Sequence, residues 1–106
     1  MDARHRLRSR ADFERVTREG RRTATPEIVA YRVVRPERPE VRVGLSVGRR
    51  LGTAVIRNRT KRRLREAVRP LIAALEPCDL VIVARERAVT SSVDDLSAAL
   101  RAALNG

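Results

Sequence analysis

The chain has 106 residues, with 24 Lys plus Arg against 13 Asp plus Glu, a formal net charge of +11, and 42% hydrophobic residues. That is room for one hydrophobic core and not two, in a sequence too apolar for a disordered basic tail. One cysteine, Cys78, and one histidine, His5, exclude a disulfide framework, a thiolate metal cluster and a Ser-His or Cys-His catalytic pair, and no apolar run marks a membrane span or signal peptide.

The expected elements follow in chain order. Residues 1–8 form a basic arm, read as flexible, with His5 facing solvent or a phosphate. Ser9 is a candidate N-cap for a helix from Arg10 to Glu19, whose narrow apolar edge is Phe13 and Val16 and whose end is marked by Gly20. Arg21 to Thr25 reads as a short edge strand. Ile28 to Val34 is a strand with Val29, Tyr31 and Val33 on one face. After the turn at Pro36, Glu37, Arg38 and Pro39, the residues Val41, Val43, Leu45 and Val47 alternate with Arg42, Gly44 and Ser46 as a further strand, expected to pair with the one before it as a hairpin.

From about Thr53 to Leu75 the period becomes helical, with Leu64, Val68, Leu71, Ile72 and Leu75 along one face, and Pro70 is expected to kink this helix or end its first segment. Leu80 to Ala84 is a continuous apolar run, the pattern of a strand covered on both faces, in which the preceding Cys78 reads as a small buried apolar residue. A last helix begins near Ser91 or Ser92 with the acids Asp94 and Asp95 in its first turn and Leu96, Leu100, Ala103 and Leu104 on its apolar side. The order is α-β-β-β-α-β-α, a single α+β domain with a small mixed sheet spanning 1–106.

The segment from Arg57 to Glu66 carries function. It places six cations, Arg57, Arg59, Lys61, Arg62, Arg63 and Arg65, before its first acid, and it lies at the helix end where the macrodipole is already positive. Without an anion that arrangement is unfavourable. A phosphate reverses the sign, because free N–H groups and guanidinium groups then point at one acceptor. At 100° per residue Asn58, Arg62, Arg65 and Arg69 share one flank, Arg57 and Lys61 extend the apolar stripe past its first leucine, and Arg49 with Arg50 feed the same end from the preceding strand. A run of charge on a helix is more commonly a solvated face, but here carboxylate partners are missing and the global charge agrees with a polyanion partner. The only aromatics are Phe13 and Tyr31. Their ordinary role is core filling; the functional alternative is a stacking surface for unpaired bases. Asp94 and Asp95 are read as capping residues, so no catalytic residue and no metal ligand is assigned.

The ordered set Arg6-Leu7, Asp12-Phe13, Gly20, Arg42 to Val47, Arg49 to Val55, Arg57 to Glu66 and Asp79 to Arg85 resembles the protein subunit of bacterial ribonuclease P along nearly the whole chain. The resemblance implies a left-handed crossover through the long helix. It also implies a division of labour in which a catalytic RNA subunit, with bound Mg²⁺, removes the 5′ leader of precursor tRNA. By position, Phe13, Val29 and Tyr31 match a cleft for the single-stranded leader, and Arg49, Arg50, Arg57, Asn58, Arg59, Lys61, Arg62, Arg65 and Arg69 fall in or beside the basic RNA-binding motif. Thr17 and Ile28 stand where relatives often carry further aromatics. The implied partners are the RNA subunit and precursor tRNA, in the cytoplasm, with no membrane and no obligate protein partner. The alternative is a small ribosomal or other structural RNA-binding protein; a self-sufficient nuclease would need a carboxylate or histidine cluster that the chain does not offer.

Overall fold

The computed structural model describes residues 5–7 and 9–105. Its elements are α1 (Arg10–Glu19), β1 (Arg21–Ala24), β2 (Ile28–Val34), β3 (Arg42–Ser46), α2 (Ala54–Ile72), β4 (Cys78–Ala84) and α3 (Val93–Asn105), with 3-10 turns at Arg49–Leu51 and Glu86–Thr90. The expected order of elements is observed. The helix starts are fixed by side chains: Ser9 accepts from the Asp12 N–H at 3.0 Å, Thr53 from the Ile56 N–H at 3.4 Å, and Ser92 and Asp95 bond reciprocally at 3.0 and 3.3 Å. Pro70 does not break α2. It sits in the last turn, and the helix runs on to Ile72 before two further turn bonds carry the chain to Leu75.

The pairing of strands corrects the hairpin. The sheet order is β1-β2-β4-β3, so β4 lies between the two strands expected to pair. β4 is antiparallel to β2 and parallel to β3. The most continuously apolar strand takes the centre, where both faces are covered. Residues 35–41, with Pro36 and Pro39, carry the chain across its end, and the long connection containing α2 supplies the crossover that a parallel pair requires.

The two faces of the sheet differ. Ile28, Ala30, Val43, Leu80 and Ile82 pack with Leu64 and Val68 of α2 and with Leu96 and Leu100 of α3 in the main core. Val81 on the opposite face packs under α1 with Val16 and Leu7, flanked by Phe13, Tyr31, Val33 and Val83. Cys78 belongs to the main core, and burial pushes its thiol up to about 11. Ile28 is also in that core, on the face away from α1, so an aromatic at this position would not have faced the α1 side.

The described part of the N-terminal arm is docked, which corrects its reading as flexible for residues 5–7. Arg6 forms a parallel bridge with Val43, the Leu7 N–H donates to the Val43 carbonyl at 3.0 Å, and the His5 ring Nδ1 lies 2.8 Å from the Val41 carbonyl. His5 is therefore tied to β3 and does not stand free.

Candidate nucleic-acid interface

The register lays out the α1 face in rows. Arg22, Tyr31, Val81 and Gly44 lie side by side across β1, β2, β4 and β3; Ala24, Val29, Val83 and Ser46 form the next row. Tyr31 and Val29 thus stand on one face two residues apart, as the alternation predicts. The Phe13 ring reaches this face from α1 and lies directly on Gly44, where a Cβ would run into the ring. Phe13 and Tyr31 both edge the small cluster under α1 and are only half-buried. Val29 is 9% exposed on the same face. Thr17 is exposed, its hydroxyl donating to the carbonyls of Phe13 and Glu14.

What holds α1 in place was not read from the sequence. Asp79, 1% exposed at the start of β4, accepts from Arg42 at 2.9 and 3.0 Å, from Arg35 at 3.2 Å and from Arg15 of α1 at 3.4 Å, with Arg38 3.8 Å away. Arg15 is also bonded to Asp12 at 3.0 Å. Burial opposes the charge on Asp79, but the Arg42 guanidinium, with Arg35 and Arg38, outweighs it and holds the carboxyl below its ordinary range. The same hydrogen bond raises Arg42. Donors exceed acceptors here, and Arg15 Nε and Arg35 Nη2 are buried without a partner. The available signal was a lone acid heading an apolar strand in an arginine-rich chain.

Among the described residues, no carboxylate pairs with the cations from Arg57 to Arg65 of α2. Gly52, at φ 144°, supplies the backbone that L side chains rarely adopt and turns the chain from the Arg49–Leu51 segment into the helix. Arg49, Arg50, Asn58, Arg59 and Arg62 are exposed. Arg57 is half-buried and donates through Nε to the Gly52 carbonyl at 3.3 Å, which closes the turn. Arg63 instead reaches the carbonyls of Val89 and Ser91, both at 3.4 Å, and braces the segment before α3. Arg69 is paired with Glu66 at 3.0 Å, an exposed contact at the far end of the helix. Of the flank expected from Asn58, Arg62, Arg65 and Arg69, Arg65 turns toward β3. There it joins Lys61, Arg6, Leu7, Phe13, Val43, Gly44 and Leu45 around a cavity of about 250 Å³. The aromatic and basic parts of the predicted site therefore meet at the edge strand β3. Among the described residues no group of three or more His, Cys, Asp or Glu could hold a metal ion, and no helix is long and apolar enough to cross a membrane.

The family model for ribonuclease P matches residues 1–106. The chain belongs to the ribonuclease P protein family. It is 39% identical over 101 residues to the ribonuclease P protein component of Bacillus velezensis, covering 95% of this chain and 87% of that one. With the corresponding protein of Gluconacetobacter diazotrophicus it shares 40% identity over 109 residues, 96% of this chain and 93% of the relative. The ribonuclease P protein of Staphylococcus aureus superposes with a TM-score of 0.85 at 30% identity, over 95% of this chain and 93% of that one. For the Thermotoga maritima protein the values are 0.82 and 26%, over 93% and 94%. The ribonuclease P protein fold is thus present in full: three helices on a four-stranded mixed sheet, with both the arginine-rich helix and the α1 face in place.

Proposed function

We propose that this chain is the protein subunit of a ribonuclease P holoenzyme. It binds the catalytic RNA subunit through the head of α2 and the leader of precursor tRNA on the α1 face, and it assists endonucleolytic release of the 5′ leader. The observation that carries this reading is the meeting of Phe13 with Lys61 and Arg65 across β3, which puts a stacking ring beside cations without carboxylates. Arg49, Arg50, Arg57, Asn58, Arg59 and Arg62 extend the basic surface, with Arg69 at its far end. Val29 and Tyr31 extend the apolar one.

The chemistry is assigned to RNA. Mg²⁺ would supply charge stabilisation and an activated water when held by the RNA subunit and substrate. The described residues of this chain do not suit that role: the buried carboxylate, Asp79, is filled by arginine, and the donor set around it is cationic. What the protein contributes is positioning and neutralisation of phosphate charge, and the cytoplasm is the compartment this requires.

The test is reconstitution. Purified protein is added to the ribonuclease P RNA at low Mg²⁺, and 5′ leader removal from precursor tRNA is followed. Faster cleavage with protein supports the reading. An unchanged rate would favour a structural RNA-binding protein, and cleavage by the protein alone would favour a nuclease.

A further inference from the structure

We infer that Arg15 is a positioning residue for leader recognition: it stops α1 from rolling about its own axis, acts on RNA only through the Phe13 ring, and is dispensable to the rest of the fold. This role rests on the proposed placement of the leader on the α1 face and adds to it the residue that orients the ring.

α1 is lightly held. None of its residues belongs to the main core, and Val16 alone among them is fully buried, against Val81 and Leu7. The two ends of the helix are tied, through the Leu7 bond to β3 and through Gly20, which lies against the Arg32 backbone. Ends tied in this way still permit rotation about the helix axis, and a single buried valine acts as a fulcrum. At about 100° per residue, Phe13 lies about 60° to one side of Val16 and Arg15 about 100° to the other. A roll that lifts the ring from Gly44 therefore displaces Arg15 as well.

Arg15 is built to resist that displacement. Its Nη2 donates to Asp12 of its own helix at 3.0 Å and to Asp79 of β4 at 3.4 Å. The first bond fixes the guanidinium relative to α1, and the second then fixes α1 relative to the sheet. Among the described residues it is the only side-chain hydrogen bond from α1 to another element. Asp79 does not depend on it, because Arg42 at 2.9 and 3.0 Å and Arg35 at 3.2 Å stay in place without it, and the Arg15 bond is the longest of the set. Loss of Arg15 thus leaves a paired carboxylate and an intact core, and it frees the helix that carries Phe13. The guanidinium is committed to two carboxylates on the side of Val16 away from the ring, so it contacts no phosphate of a strand stacked on Phe13.

The test compares Arg15→Ala, Phe13→Ala and the double variant in holoenzyme reconstituted with the ribonuclease P RNA. Arg15→Ala should raise the KM for leader-bearing precursor tRNA about threefold, part of what loss of the ring itself costs, with kcat and the affinity for mature tRNA unchanged. In the Phe13→Ala background it should add nothing, because the two residues act as one unit. Arg15→Lys, whose ammonium can stand between the two carboxylates, should restore most of the wild-type KM, and Arg18→Ala on the exposed side of the same helix should leave it unaltered. Additive losses in the double variant would overturn the proposal. So would a fall of roughly 0.7 to 0.9 in the slope of log affinity against log salt, which would make Arg15 a phosphate contact. An Arg15→Ala protein that does not fold would overturn it too, since the bond would then belong to the fold. A readout without RNA separates this role from the function: the Gly44 Hα NMR signal, shifted by the Phe13 ring above it, should move in Arg15→Ala and not in Arg18→Ala. A Gly44 signal that stays still removes the positioning role and leaves the function. A signal that moves in a protein whose wild type does not prefer leader-bearing RNA removes the leader reading and leaves the hold of Arg15 on α1.

Discussion

Around Asp79 four arginines, Arg15, Arg35, Arg38 and Arg42, converge on one carboxylate with 1% exposure, whereas Arg49, Arg50, Arg59 and Arg62 stand in solvent at the other end of β3, with no carboxylate against them among the described residues. The side chains are identical, and what separates their roles is the acid. At Asp79 arginine is structural: it ties α1 to the sheet and so sets where Phe13 stands. At the head of α2 arginine is left uncompensated, at a helix end that already repels it, and is thereby available to phosphate. Their predicted effects divide in the same way, with stability changing at one end and salt-dependent binding at the other.

The largest effect is expected from Asp79→Asn. Removing the carboxylate leaves the arginines without their centre and should cost about 3 kcal/mol in urea unfolding, near the lower end for a broken buried pair because the arginines are part-exposed. The pH dependence has a definite sign. Asp79 is held below its ordinary range in the folded state, so its contribution is complete above the unfolded value of about 4 and is lost as pH falls through the lower folded value. The variant should lack that loss on the acid side, and an acid limb identical to wild type would show that the cluster contributes nothing.

Phe13→Ala should weaken leader-bearing precursor tRNA by roughly tenfold and mature tRNA much less, since stacking of one base on an aromatic ring is worth about 1–3 kcal/mol. Equal weakening of both RNAs in a binding titration would remove the leader from this face. Gly44→Ala places a methyl against the Phe13 ring and should lower stability by about 1 kcal/mol, with part of the same discrimination lost as the ring is displaced. Should leader discrimination survive intact, the seat of the ring on Gly44 would not matter to binding. Arg62→Ala should leave stability within about 0.5 kcal/mol. Its slope of log affinity against log salt should fall by roughly 0.7 to 0.9. An unchanged slope would place Arg62 among the merely solvated charges.

Much of this was legible in the sequence. Val29, Tyr31 and Val33 alternate onto one face because side chains on a strand have a period of two, and Leu64 and Val68 fall into the core because helix positions four apart share a face. Ser92 with Asp95 announced the start of α3. The missed elements all involve partners distant in the chain. The β2–β3 hairpin was wrong because adjacency in sequence says nothing of a third, more apolar strand that competes for the place between them. Asp79 reads as a strand boundary until Arg15, Arg35, Arg38 and Arg42 arrive from α1, the β2–β3 connection and β3. Arg6 reads as part of a loose arm until Leu7 is seen buried beneath α1.

Length, charge and the basic run ahead of Leu64 were enough to specify one domain and to raise the expectation of a polyanion partner for its long helix, because composition, period and helix polarity are local properties that each residue carries with it. Only the tertiary structure decided which arginines are neutralised and which are not. Charge pairing depends on distance through space, and Asp79 stands 64 residues from Arg15 along the chain while lying 3.4 Å from it in the fold.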